Sequence, residues 1–335
     1  MQDVLITGGA GFIGSNLARC LVGSGERVRV LDNLSTGSRE NLRDVERSID
    51  LVIGDVRDPE DVQRAVGGAD VVYHLAALPS VARSLADPLA SHATNALGTL
   101  NVLLAARDAA VKRFVYASSS SIYGDSPTLP KHEAMPVDPR SPYAAAKLAG
   151  EAYSRAFARS VGVETVCLRF FNVFGPRQDP DSPYAAVIPR FASRMLGGER
   201  PVIFGDGSQS RDFTFVANAV QACVLAAEAG PDAVGEVMNV GCGDRISLLD
   251  LVGALNELLG TNFEPEFEPQ QRGDVRHSLA SIEKAKRLLG YEPLVPVREG
   301  LRQTVTWLEE RRDIVVRANG HDSMSTPVIH EVVRD

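Results

Sequence analysis

The sequence predicts an α/β fold built on a doubly wound parallel sheet, and three observations carry that expectation. Short β-branched runs alternate with longer helix-like stretches through the first half of the 335 residues. Several runs are apolar at consecutive positions, as strands buried on both faces require. The first run opens directly into a glycine-rich turn, Thr7-Gly8-Gly9-Ala10-Gly11-Phe12-Ile13-Gly14.

Strands are expected, in order, at 3–7, 27–31, 50–53, 70–75, 113–118 and 164–169, with the main helices at 88–110 and 142–160. Beyond Arg169 the texture changes. Segment 172–212 is rich in Pro, Gly, Asp and Arg and reads as loops around a helix at about 185–196. A helix at 217–229, a short strand at 236–240 and helices at about 248–259, 281–289 and 297–311 follow. Ser247 and Ser281 stand as N-caps of two of these helices. From about Val316 helical periodicity is lost, and 316–335 reads as a loosely ordered tail.

A net charge of −8 argues against nucleic acid and against a polybasic membrane-surface role. It leaves room for a small anionic ligand, which a few cations and backbone amides can hold. Cys20, Cys167, Cys223 and Cys242 show no metal-ligand spacing and no disulfide framework, so no metal is expected. No apolar stretch is long enough to span a bilayer, and the N-terminus runs straight into a strand without a signal peptide. A soluble, cytoplasmic protein without a membrane partner is expected.

The glycine turn contains G-x-G-x-x-G (Gly9, Gly11, Gly14) and G-x-x-G-x-x-G (Gly8, Gly11, Gly14). Glycines there permit a tight turn and close approach of the backbone to a pyrophosphate, and the helix starting near Phe12 aims unpaired N–H groups at it. Asp32 ends the second strand 18 residues past Gly14, where a carboxylate bonds ribose hydroxyls and repels a 2′-phosphate. NAD is therefore favoured over NADP. Asp55-Val56 follows the third strand and reads either as a turn cap or as an adenine contact.

Tyr143 and Lys147 stand four apart on one predicted helix and so face the same way. A neighbouring cation stabilises a phenolate and lowers tyrosine toward the range of a general base. The fifth strand ends in Ser118-Ser119-Ser120-Ser121-Ile122-Tyr123-Gly124, which puts hydroxyls where open α/β sheets bind ligands.

With these motifs in this order, the chain resembles the extended short-chain dehydrogenase/reductases, in the nucleotide-sugar epimerase/dehydratase family and its UDP-sugar 4-epimerase group. The match runs from the first strand to about residue 311. The resemblance implies a Rossmann sheet with bound NAD and a smaller, mixed α/β substrate domain. Gly8, Gly11, Phe12, Ile13 and Gly14 would hold the phosphates, Asp32 and Asn33 the ribose, and Asp55 and Val56 the adenine. Leu75, Ala76, Ala77 and Asn95 would line the cofactor; Ser119, Tyr143 and Lys147 would be catalytic, the last two also touching NAD. Dehydratases and decarboxylases of this family carry acids just after the serine, where this chain has Ser120 and Ser121. Elimination chemistry lacks its acid/base pair there, which leaves reversible oxidation at carbon 4.

For the substrate, the resemblance assigns Asn172 and Gln178 of Phe171–Gln178, Val187 of the uridine-side segment 185–189, and Arg211 of the nucleotide loop 204–213. It adds Ser80, Ser120, Ser121 and Ser278, a small residue at a position that can admit an N-acetyl group. Arg272 stands one position later than the family's diphosphate arginine, and Asn218 replaces a more usual acid. A UDP-hexose 4-epimerase is thus expected, acting on UDP-glucose/galactose or UDP-N-acetylhexosamines. The alternative is a UDP-glucuronate 4-epimerase, with Arg83, Arg177 or Arg190 as the carboxylate's cation; Asp179 counts against it. More distant alternatives are a sugar-nucleotide dehydratase and a non-catalytic NAD-binding regulator on the same fold. The implied domains are 1–172 with a return at about 213–243 for NAD, and 173–212 with 244–315 for the UDP-sugar. A homodimer pairing the helices at 88–110 and 142–160 is implied as well.

Overall fold

The computed structural model describes residues 1–182, 185–270 and 275–321. The chain begins β1 (Asp3–Thr7), α1 (Phe12–Gly23), β2 (Arg27–Asp32), β3 (Ile49–Ile53), α2 (Pro59–Val66) and β4 (Val71–His74). It continues through α3 (Val81–Ala86), α4 (Pro88–His92), α5 (Gly98–Asp108), β5 (Arg113–Ser119), α6 (Pro142–Ser160) and β6 (Thr165–Phe170). Then come β7 (Val173–Phe174), α7 (Val187–Leu196), β8 (Val202–Phe204), β9 (Ser210–Arg211), β10 (Thr214–Phe215) and α8 (Val216–Glu228). Last are β11 (Val237–Val240), β12 (Ile246–Ser247), α9 (Leu248–Leu259), β13 (Glu266–Glu268), α10 (Glu283–Leu289) and α11 (Val297–His321).

Seven parallel strands form the central sheet in the order β11-β6-β5-β4-β1-β2-β3. Strand direction of travel reverses between β1 and β4, which opens a crevice beyond their carboxyl ends. Period-two alternation splits the strand residues between two cores. Val4, Ile6, Val71, Tyr73, Val115 and Ala117 face one side, and Leu5, Val72, Phe114 and Tyr116 face the other. On the second side lie Val62, Val102, Leu103, Ala106 and Phe157 of α2, α5 and α6. The first core continues without a break into the later chain, through Phe174, Phe191, Leu251 and Leu301.

The later chain is mixed in character. Among the described residues three two-stranded pairs occur, β7 with β10 and β8 with β13 parallel, β9 with β12 antiparallel. α8 and β11 return to the main sheet, with α8 against α1, β5 and β6.

Three expectations change. The helix expected at 88–110 is α4 and α5 joined by a π turn at Ala93–Leu97. That turn buries Thr94 and Asn95, side chains that a uniform helix would space differently. Ser281 is not an N-cap: α10 starts after Ile282, and the Ser281 N–H bonds the Lys131 carbonyl instead. Ser247 does cap α9, in a reciprocal capping box with Asp250. Finally, α11 runs on to His321, past the point where its periodicity fades, and the rest of the expected tail, 322–335, lies outside the described residues.

Candidate active site

A cavity of about 1060 Å³ fills the crevice at the carboxyl ends of the central strands. Its first wall is backbone. Gly8, Gly11, Phe12, Ile13 and Gly14 line it, and Gly11, at the N-cap of α1, supplies no side-chain cap. The N–H groups of the first helical turn are therefore left for a ligand. The glycines are sterically required. A Cβ on Gly8, which has φ +71°, would sit 2.7 Å from the Ala76 backbone, and one on Gly14 would sit 2.3 Å from the Gly8 carbonyl. Asp32 closes this end: its carboxylate accepts from the N–H groups of Ala10 (2.9 Å) and Leu34 (2.8 Å). Burial raises its pKa and those two bonds lower it. Asn33, Val56, Leu75, Ala76 and Ala77 complete the wall.

Behind that wall stands a histidine the sequence reading passed over. The Thr99 hydroxyl donates to the Asn95 carbonyl (2.7 Å), so its oxygen must accept from His74 Nε2 (2.9 Å). His74 Nδ1 then accepts from Thr7 (2.7 Å), whose oxygen takes the Ala76 N–H (3.3 Å). Complete burial pulls the imidazole pKa down to about 3, so it stays neutral and locks the ends of β1 and β4 together.

Ser119, Tyr143 and Lys147 converge on the same cavity. Ser141 caps α6 by accepting from the Ala144 N–H, and Pro142 follows at the first helical position. Gly150 lets Tyr116 reach α6, since a Cβ there would lie 2.1 Å from the phenol oxygen; that phenol donates to the Lys147 carbonyl at 3.2 Å. Lys147 Nζ donates to the Ala117 carbonyl (2.8 Å) and lies 5.2 Å from the Tyr116 ring centre. Burial pulls the Lys147 pKa down to about 8 against the charge of Glu151. Burial raises the Tyr143 phenol, and a hydrogen bond with Ser119 lowers it.

One turn after Lys147, Glu151 takes a bidentate pair of bonds from buried Arg169, both 2.8 Å, and a 2.5 Å bond from Ser118. Arg169 also reaches the Tyr123 hydroxyl (2.8 Å), which donates to Asn239 (2.7 Å). This chain of bonds ties α6, β5, β6 and β11 directly behind the serine loop. Its signals were present: a charge inside the apolar run of β6 demands a buried partner, and Glu151 repeats the four-residue spacing of Tyr143 and Lys147.

At the other end Ser80, Ser120, Ser121, Asn172, Gln178, Arg211 and Ser278 line the cavity. Asn172 Nδ2 donates to the Asp212 carbonyl and to Ser278 Oγ, each at 3.0 Å. Asp212, also missed, accepts from the N–H groups of Cys242 (2.8 Å), Ala280 (3.0 Å) and Gly243 (3.1 Å). Burial nevertheless pushes its pKa up to about 6. Lys131, for which the sequence offers no signal, lines this end too, and burial lowers its pKa against the charge of Asp125.

Three expected contacts fall elsewhere, and a fourth is not described. Asn95 is fully buried behind the wall, bonded to the Leu78 N–H (2.9 Å) and carbonyl (3.1 Å), and so positions the loop rather than lining the cavity. Asp55 turns to Arg57 (2.6 Å), whose guanidinium does most to hold its pKa at about 2, and to Asn33 (2.7 Å); its neighbours Gly54 and Val56 face the cavity instead. Val187 lines a second pocket of about 330 Å³ with Arg190, Phe204 and Leu248. Asn172, Val173, Ala185, Ala186 and Arg211 border both pockets, so the two form one continuous cleft. Arg272 lies outside the described residues.

A family model described as the NAD dependent epimerase/dehydratase family matches residues 4–241. A UDP-glucose 4-epimerase of Mycolicibacterium smegmatis is 40% identical over 92% of this chain and 98% of its own length. A UDP-N-acetylglucosamine 4-epimerase from Methanobrevibacter ruminantium, solved with UDP-N-acetylmuramic acid, superposes with a TM-score of 0.88 at 39% identity. That match covers 92% of this chain and 99% of the other. A UDP-glucose 4-epimerase from Thermotoga maritima, solved with UDP-glucose, gives the same score, identity and coverage.

Proposed function

Because the chain belongs to the NAD dependent epimerase/dehydratase family, we propose that its cleft works as the active site of a UDP-hexose 4-epimerase. The observation that carries this reading is local. Ser119, Tyr143 and Lys147 share one cavity with the glycine turn, and the serine loop supplies hydroxyls at 120 and 121 where elimination would need a carboxyl group.

The glycine turn fits NAD, with its uncapped helix start and the approach that a Cβ would block. Gly8, Gly11, Phe12, Ile13 and Gly14 would hold the pyrophosphate, Asp32 and Asn33 the ribose, and Val56 the adenine. Bound NAD supplies reversible hydride acceptance from carbon 4 of the sugar. Tyr143 takes the proton of the 4-hydroxyl, and Ser119 relays it by hydrogen bond. Lys147, fixed to β5 through the Ala117 carbonyl, holds the nicotinamide ribose and keeps positive charge near the phenolate. Arg211 meets the diphosphate between the two pockets, and the smaller pocket takes uracil against Val187, Phe204 and Arg190. The division of labour follows the domains: 1–172 with 213–243 for NAD, and 173–212 with 244–315 for the UDP-sugar.

Tyr143→Phe should lower turnover about a thousandfold while NAD remains bound. Chromatography of UDP-glucose and UDP-N-acetylglucosamine incubations, with the NAD content of the same preparation, checks both halves. Near-native turnover would remove Tyr143 as the base, and loaded protein that converts neither sugar would favour a regulator.

We place the enzyme in the cytoplasm, where four free cysteines persist, and as a homodimer. Leu89, Leu97 and Tyr153 expose apolar surface along α4, the π turn and α6, on the helices expected to pair, and Val81 and Leu85 expose more on the adjoining α3. Leu89, 81% exposed, is the probe: Leu89→Glu should shift sedimentation toward a monomer, and an unchanged boundary at native dimer mass would discard this face.

A further inference from the structure

Lys131 is a charged side chain only 2% exposed, and it lines the sugar end of the cleft. Its backbone is pinned on both sides. The N–H donates to the Leu279 carbonyl (2.7 Å), and the carbonyl accepts from Ser281 N–H (2.8 Å) and Asn239 Nδ2 (2.9 Å). These bonds hold the Lys131 backbone beside Ala280, two residues from Ser278. The ammonium has three N–H donors, and its hydrogen bond goes to the Ser126 carbonyl. Among the described residues it forms no salt bridge: Asp125 is exposed and acts on it only at a distance, and Glu133 is bonded to the Asn239 N–H (2.7 Å). A buried ammonium without an anion is costly unless something completes its shell.

Two more hydroxyls belong to residues that line the same cavity. Ser121 Oγ is buried and has no partner. Ser278 Oγ already accepts from Asn172 (3.0 Å) and from the Asp212 N–H (3.4 Å), which leaves its own proton to give. An ammonium and two hydroxyl protons suit a carboxylate, which offers about four acceptor sites. Of the three arginines considered for that task, Arg83 also lines the cavity, Arg177 pairs with Asp44 (3.5 Å) outside the cavity wall, and Arg190 lies over Phe204 in the second pocket. The carboxylates of Asp179 and Asp181 also border the cleft, but at exposed positions.

We propose that Lys131 determines sugar specificity by binding a carboxylate on the hexose, so that the cleft admits acidic UDP-sugars. The inference rests on the 4-epimerase reading of the same cleft. Two placements of the carboxylate share this chemistry, at carbon 6 of a hexuronate and on a lactyl ether at carbon 3.

The test uses NAD-loaded full-length protein and the variants Lys131→Met, Lys131→Arg and Arg83→Met. Binding of UDP-glucose, UDP-glucuronate and UDP-N-acetylmuramic acid is measured by calorimetry, and turnover by chromatography. The wild type should bind at least one acidic sugar as tightly as UDP-glucose. Lys131→Met should weaken that sugar at least about tenfold, change UDP-glucose by less than about threefold and keep its NAD, with Lys131→Arg restoring part of the loss. Whichever acidic sugar responds locates the carboxylate. Equal weakening of acidic and neutral sugars, selective loss in Arg83→Met instead, or no binding of either acidic sugar by the wild type overturns the role of Lys131. Absence of turnover with selective binding intact would instead count against the epimerase reading alone.

Discussion

The two ends of the cleft are made differently. The cofactor end is mostly main chain, contributed by one short run from Gly8 to Gly14 and the strand ends beside it. The sugar end is mostly side chains, gathered from Ser80, Ser121, Lys131, Asn172, Gln178, Arg211 and Ser278, about 200 residues of chain apart at the extremes. A phosphate needs N–H groups in a fixed arc, and one tight turn can supply them. A hexose needs donors and acceptors on several faces, and only distant segments can surround it. The first construction tolerates almost no added atom. The second depends on buried polar bonds that hold its contributing segments still.

The largest effect should come from adding atoms to the first end. Gly14→Val meets the Gly8 carbonyl at once, and we expect loss of bound NAD, by at least about a hundredfold in affinity, with the folded circular dichroism spectrum retained. Full NAD content in the purified variant would break the main-chain account. The next effect should come from cutting the buried bonds behind the second end. Glu151→Ala leaves the Arg169 charge without its carboxylate, so stability measured by denaturant unfolding should fall by about 3–5 kcal/mol. Replacing Arg169 by Met in the same chain should recover part of that loss, and failure to recover would mean the pair is not the cause.

The smallest effect sharpens the boundary between the ends, at Lys147. Its folded pKa of about 8 lies below its unfolded value. Between those values the unfolded chain binds more protons, so this group adds stability as pH rises and costs most below pH 8 or so. Inactive Lys147→Met should therefore melt higher than the wild type at pH 7, by at most about 3 kcal/mol, and the gap should narrow toward pH 9.5. A gap independent of pH would assign it to packing.

The same division explains what could be read from the chain. The glycine turn, Asp32 and the pair Tyr143 and Lys147 are local patterns, and α6 spans the residues expected of it because Ser141 and Pro142 announce its start. The π turn that buries Asn95 leaves no mark in the apolar spacing, and the weak helix formers Thr94, Asn95 and Gly98 there do not single out a π turn. Ser281 looks like a cap, but its backbone pairs with a loop about 150 residues earlier, and that pairing wins. Lys131 reads as an ordinary surface lysine. Only the bridge to Ala280 brings it into the cleft, and no spacing rule links the two.

One feature of the sheet bears on how the protein is made. β6 is not an edge strand, because β11, drawn from nearly 70 residues later, bonds along its outer side: Cys167 N–H to Glu236, Gly235 N–H to Thr165 and Phe171 N–H to Val240, at 2.7–3.0 Å. During synthesis Ser119, Tyr143 and Lys147 all emerge before that strand. Until it arrives the nascent chain carries an open, apolar sheet edge, and Tyr123 lacks the Asn239 partner that helps hold the serine loop. The serine loop thus gains its full set of bonds only when a late segment closes the sheet.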